Sequence, residues 1–286
     1  MDKKITNLYN GYKNGQASRR EFIRKLVVLT GSTAAAMALV PVLEDNTLSA
    51  EERHEAIQNV LSEYITYPAE TGEMRGYLSK PGGGGKFPAV VVIHENRGLV
   101  PHIRDVNERM AKEGFLSLAP DALSPVGGTP ENGENVRELF GKLDSEQTTK
   151  NFVAAVKYLK THPDSNGKVG CTGFYWGGGV TNQVAVNCPG LDAAVPYYGR
   201  QPSAEDVAKI EAPLMAHYGG NDERINAGIP AFEEALKKNN KEYQFFIYPG
   251  AEHAFNNDTN EARYHKEAAA LAWERTIKFL KEKLKT

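Results

Sequence analysis

The sequence predicts an α/β domain with a doubly wound, mostly parallel sheet flanked by helices. Three observations predict it. Beyond about Glu51, short β-branched or aromatic runs alternate with segments of helical period, the mark of repeated βα units. One run, Ala89-Val90-Val91-Val92-Ile93, holds no polar residue, as expected of a strand covered on both faces. A third stretch, Gly173-Phe174-Tyr175-Trp176-Gly177-Gly178, joins a predicted strand to a predicted helix through glycine-flanked residues. The chain has 286 residues, 41% of them hydrophobic, which suits one large domain with extra segments.

The N-terminal region reads separately. Ser18-Arg19-Arg20-Glu21-Phe22-Ile23-Arg24 is a twin-arginine pattern, and a mildly apolar, small-residue run follows from Leu26 to Leu43. Residues 1–50 are therefore expected to be a Tat-type export leader, with a candidate cleavage site at Ser49-Ala50, and residues 51–286 the folded domain. The protein would then be periplasmic or otherwise extracytoplasmic. It would touch a membrane only through the leader, if that is left uncleaved.

Within the domain, Glu63–Tyr67 and Met74–Leu78 predict an antiparallel pair, and Ala89–Ile93 the first central strand. A helix is expected over Ile103–Glu113, a buried strand over Phe115–Ala119, and a helix through Ala154–Leu159. The Gly-, Pro- and Asn-rich stretch from Pro120 to Asp144 is a long excursion able to frame or cover a site. Lys168–Thr172 predicts the strand before the tight turn and Val180–Val186 the helix after it. Ala193–Pro196, Pro213–Tyr218 and Gln244–Tyr248 complete the strands, and Ala231–Lys238 and Ala262–Leu284 the helices.

Several function classes are set aside. A net charge of −2 leaves no basic surplus to neutralise phosphates, so no nucleic-acid partner is expected. Cys171 and Cys188 make no disulfide framework and read as small core residues. Gly82-Gly83-Gly84-Gly85-Lys86 precedes a strand and is followed by Phe87, so it is a turn and not a P-loop. His94-Glu95 lacks the second histidine of a zinc motif, and no metal is expected. A homodimer is left open.

Strand, sharp turn and helix, with glycines two before and two after a central residue, is the layout of a nucleophile elbow. The α/β-hydrolase chain order of nucleophile, acid and base then fits Tyr175, Asp222 and His253. Asp222 follows a predicted strand and a Gly-Gly turn; His253 lies on the loop after the last strand. A carboxylate on one imidazole nitrogen fixes the tautomer and frees the other nitrogen to take a proton. His94-Glu95-Asn96-Arg97-Gly98 follows the Ala89–Ile93 strand, so the backbone amides of Asn96 and Trp176 are the candidate oxyanion donors. Arg97, Tyr198 and Arg200 lie in segments expected near the pocket and could bind a carboxylate or carbonyl oxygen.

These motifs, together with Tyr197-Tyr198-Gly199-Arg200 and Gly250-Ala251-Glu252-His253-Ala254-Phe255, resemble the dienelactone hydrolase family from about Ser62 to the C-terminus. The exported branch with a Tat-like leader is the most similar. The resemblance implies hydrolysis of a small enol-lactone or related ester with no metal or organic cofactor. It also implies that Glu95 governs nucleophile protonation, and that the nucleophile is ordinarily Cys.

Here that position is Tyr175. A phenol oxygen lies farther from its Cα than a thiol, and oxyanion donors placed for a short nucleophile are worth about 2.7–4 kcal/mol each. A free phenol ionises near pH ~10, against about 8.5 for a thiol. Four readings follow. Tyr175 is the nucleophile of a Tyr-His-Asp triad; or it is acid, base or oxyanion donor while His253 activates water; or the chain is a non-catalytic small-molecule binder; or Tyr175 replaces a parental Cys. The retained Asp222 and His253 favour the first two.

Overall fold

The computed structural model describes residues 2–30, positions 36, 39–40 and 43, and residues 59–82 and 84–285. Eight strands form one sheet in the order β1-β2-β4-β3-β5-β6-β7-β8. These are β1 (Val60–Ala69), β2 (Gly72–Pro81), β3 (Phe87–Ile93), β4 (Leu116–Pro120), β5 (Ser165–Phe174), β6 (Ala193–Tyr197), β7 (Leu214–Gly219) and β8 (Tyr243–Tyr248). The pairs β1/β2 and β2/β4 are antiparallel; every other pair is parallel. This is the mostly parallel, doubly wound sheet that the alternating strand and helix runs predict.

The period of two along β3 divides the core. Ala89, Val91 and Ile93 point to one face, and Val90 and Val92 to the other; all five are fully buried. The first face is covered by α5 (Ser145–Thr161), α6 (Trp176–Asn187) and α8 (Ile229–Lys238), through Phe152, Val156, Val184, Phe232 and Leu236. The second is covered by α3 (Pro101–Lys112) and α9 (Lys266–Lys283), through Ile103, Val106, Met110, Ala272 and Leu280. The Asp144 carboxylate caps α5 by accepting from the Gln147 N–H at 2.8 Å.

α9 starts later than the Ala262–Leu284 pattern suggests, because residues 254–265 are spent on a loop. The Pro120–Asp144 excursion contains a short helix, α4 (Val136–Gly141). Asp121 ties the start of the excursion down, accepting from Leu123 N–H, Thr129 N–H and the Thr129 hydroxyl at 3.0, 2.7 and 2.7 Å.

Near the N-terminus, α1 (Asp2–Lys13) and α2 (Arg19–Thr30) pack together through Ile5, Tyr9, Phe22 and Leu26. The Ser18 hydroxyl accepts from Glu21 N–H at 3.2 Å where α2 begins. Among the described residues no helix is long and apolar enough to cross a membrane. The expected cleavage site at Ser49-Ala50 and the boundary at residue 50 lie outside the described residues, as does Gly83 of the glycine turn.

Candidate active site

β5 delivers Tyr175 to the C-terminal edge of the sheet, and α6 begins on the next residue. Tyr175 sits at φ 52° and ψ −108°, a conformation costly for a bulky side chain. Two backbone bonds hold it there: its N–H donates to Tyr197 O, and its carbonyl accepts from Gly179 N–H, both at 3.0 Å. The glycines allow the fit. A Cβ on Gly177 would stand well inside contact distance of the Ile93 and His94 carbonyl oxygens, and one on Gly178 would meet the Tyr197 carbonyl. The elbow is thus wedged between the ends of β3 and β6.

Asp222 and His253 arrive on neighbouring loops. Asp222 follows β7 and starts the short helix α7 (Glu223–Asn226). Its two oxygens do different work: Oδ1 accepts from Ile225 N–H at 3.3 Å, and Oδ2 accepts from His253 Nδ1. The Asp222 and His253 loops are tied directly, with Asn221 N–H donating to Ala251 O at 3.0 Å and Asn221 Nδ2 donating to Glu252 Oε1 at 3.0 Å. The imidazole meets the Tyr175 ring edge to face, centroids 4.8 Å apart. Among the described residues the Tyr175 hydroxyl makes no hydrogen bond. Positive φ values at Tyr175, Tyr198 and Ala254 place three strained non-glycine residues in the segments that carry or abut the imidazole.

Glu95 follows β3. Its Oε2 accepts from Asn257 Nδ2 at 3.1 Å, while Oε1 is buried without a hydrogen-bond partner. Burial pushes this carboxyl above the usual glutamate range, against the opposing pull of Asn257, Arg97 and Arg263. His94 is fully buried beside it. Its Nε2 accepts from Ala122 N–H at 3.0 Å, so Nδ1 carries the proton and donates to Glu95 O at 2.6 Å. Desolvation holds His94 below the ordinary histidine range, so it stays neutral.

The indole of Trp176 stacks on His94 at 5.5 Å and takes the edge of Phe140, from α4, at 4.9 Å. The excursion therefore reaches the elbow through Phe140. The Trp176 N–H lies in the first turn of α6, where a helix supplies no acceptor. Neither it nor Asn96 N–H is hydrogen-bonded among the described residues.

A cleft of about 1290 Å³ opens in front of the elbow, lined by Tyr175, Trp176, Phe140, Arg200 and Arg224 among others. Arg200, expected at the substrate, lines it. Arg97 is exposed on the turn after β3 and acts on Glu95 through its charge. Tyr198 is fully buried and does not line the cleft; it packs on the imidazole at 5.3 Å and on Phe255 at 5.4 Å. It supports the His253 ring. Arg224, not singled out from sequence, stands over the Tyr175 ring at 5.8 Å. Asn257 was also missed. Their positions two residues after Asp222 and four after His253 are the signal that points to them. Among the described residues no three His, Cys, Asp or Glu side chains gather where they could hold a metal ion.

Residues 74–284 match the model of the dienelactone hydrolase family. This chain belongs to the dienelactone hydrolase family. Among its relatives in that family is a protein of Methylorubrum extorquens named "Putative carboxymethylenebutenolidase", 31% identical over 275 residues, covering 91% of this chain and 92% of the relative. A protein of the same name from Saccharolobus solfataricus is 33% identical over 257 residues, covering 76% and 97% of the two chains. The crystal structure of a dienelactone hydrolase homologue from Klebsiella pneumoniae superposes with a TM-score of 0.69 at 27% identity, over 78% of this chain and 98% of that one. Family membership makes the protein an α/β-hydrolase-fold hydrolase, as the elbow and the strand order anticipate.

Proposed function

We propose that the protein hydrolyses an ester or lactone bond of a small carbonyl substrate through Tyr175, His253 and Asp222. One observation carries this reading: the imidazole bonded to Asp222 through Nδ1 presses against the ring of the residue at the elbow. The Asp222 carboxylate fixes the tautomer, leaving His253 Nε2 as the base. Nε2 takes the phenol proton, and Tyr175 Oη attacks the carbonyl carbon. The oxyanion so formed meets the amides of Asn96 and Trp176. Collapse expels the alkoxide, which takes the proton from Nε2. Water, deprotonated by the same nitrogen, then releases the acid from the acyl-tyrosine. A phenolate is a good leaving group, so this second step is eased. Arg200 is the proposed substrate contact, with Arg97 acting on Glu95 through its charge and Tyr198 acting through the imidazole.

A second reading has a specific observation behind it. The Tyr175–His253 contact is ring on ring, and the hydroxyl is free of hydrogen bonds among the described residues. Water held between Nε2 and the substrate would then attack, with Tyr175 donating to the oxyanion. Intact-protein mass spectrometry with a slowly turned-over aryl ester separates the two. An acyl adduct mapped to Tyr175 supports the first; turnover with no adduct at any time sinks it and leaves the second.

We further propose that residues 1–50 act as a Tat-type leader, with the enzyme working outside the cytoplasm. The arginine pair at the start of α2 supports this. Export that survives replacement of Arg19-Arg20 by Lys-Lys would remove the proposal.

A further inference from the structure

We infer that Arg224 is a positioning residue that favours the ionised form of Tyr175; the inference rests on the reading that Tyr175 reacts. Tyrosine is a weaker acid than the cysteine usual at this position, so the site needs a source of phenolate stabilisation that a thiolate would not. The geometry supplies a cation. Arg224 is the second residue of α7, and its guanidinium lies 5.8 Å from the centroid of the Tyr175 ring. Both side chains line the same cleft, and Arg224 makes no ion pair with a carboxylate among the described residues. Its charge is therefore not spent on an acid.

The other groups around the ring do not take this role. His253 faces it from the base loop, with the Asp222 charge behind it engaged by Nδ1. Tyr198, from the end of β6, is buried under the imidazole, and Glu95 lies beyond it, near enough to raise the Tyr198 phenol further above its usual range. Both acids oppose a phenolate. Arg200 lines the cleft without contacting the ring face. Arg224 is the cation placed on the ring itself, and Asp222 brings it there: the carboxylate that orients the base also caps the helix bearing this guanidinium. One loop thus sets both the base and the acidity of its partner. When the phenol proton passes to His253 Nε2, the negative charge left on the phenolate lies in the field of the guanidinium over its ring until Oη attacks the carbonyl carbon.

The test is an ultraviolet difference titration at the tyrosinate band, taken as each protein minus its Tyr175→Phe counterpart. Arg224 is exposed, so its substitution leaves the core intact. Arg224→Met is expected to raise the Tyr175 midpoint by about half a pH unit, and Arg224→Lys to restore most of it. Near neutral pH, kcat/KM should fall as the midpoint rises while KM changes little. An unmoved midpoint in Arg224→Met, or a Lys variant indistinguishable from Met, would overturn the inference. Full esterase activity in Tyr175→Phe would instead remove the nucleophile reading, and the titration would still report whether Arg224 acts on the ring.

Discussion

The Tyr175 ring and the His253 imidazole meet edge to face, centroids 4.8 Å apart and planes at 89°. The contact fixes where each can act. Tyr175→Phe keeps the ring and removes only the oxygen, so the elbow stays packed. A fall of about 10²–10⁴ in kcat/KM on a short aryl ester is expected, and a similar fall for His253→Ala. The double variant should lose little more than either single one, because the two act as a unit. A Phe variant retaining most of the wild-type rate would mean that hydrolysis happens elsewhere.

Asp222 offers a cleaner separation of stability from activity. Its Oδ1 caps α7 and its Oδ2 holds the base. In Asp222→Asn the amide oxygen can still cap the helix, but the NH₂ group cannot accept from Nδ1. The thermal midpoint should shift little while kcat/KM drops by about 10²–10⁴. Equal loss of both would show that the carboxylate is structural.

Glu95 predicts a pH-dependent stability. Its folded carboxyl is raised by burial, so the folded state favours the protonated form. That contribution is present in full below the ordinary glutamate range and is lost as pH rises through the raised value. Glu95→Gln should therefore match wild type in acid and exceed it near neutrality. Denaturant midpoints across pH read the difference, and a variant less stable at neutral pH would refute it.

His217 on β7 predicts the opposite slope. It is fully buried, bonded to the Tyr248 hydroxyl at 2.9 Å and to Thr276 Oγ1 at 3.0 Å, and desolvation brings it down to about 3. The unfolded chain takes up this proton from about pH 6.5 downward and the native state does not, so stability falls with acid by about 1.4 kcal/mol per pH unit over that window. His217→Asn, which keeps a donor and an acceptor, should flatten this limb although it is less stable at neutral pH. An unchanged acid slope would show that His217 does not titrate on unfolding.

Much of this was legible in the chain. The uninterrupted Ala89–Ile93 run specifies a strand buried on both faces, because no side of it tolerates water. Gly177 and Gly178 specify an elbow, because only a missing Cβ lets α6 approach β3 and β6. Asp222 and His253 could be picked out because each follows a strand, and the fold brings the two side chains into contact.

Other features depend on distance in space. The Asn257–Glu95 bond joins residues 162 apart, and no local pattern encodes it. Phe140 reaches Trp176 from an excursion whose start is anchored at Asp121. Tyr198 reads as a substrate contact in the sequence, and packing against His253 and Phe255 buries it instead. Sequence by itself determined the sheet and the elbow and singled out Asp222 and His253, since these follow from local periodicity, backbone sterics and strand order. Only the tertiary structure decided what surrounds Tyr175, including the guanidinium on its ring, because those neighbours are set by the directions in which separate loops leave the sheet.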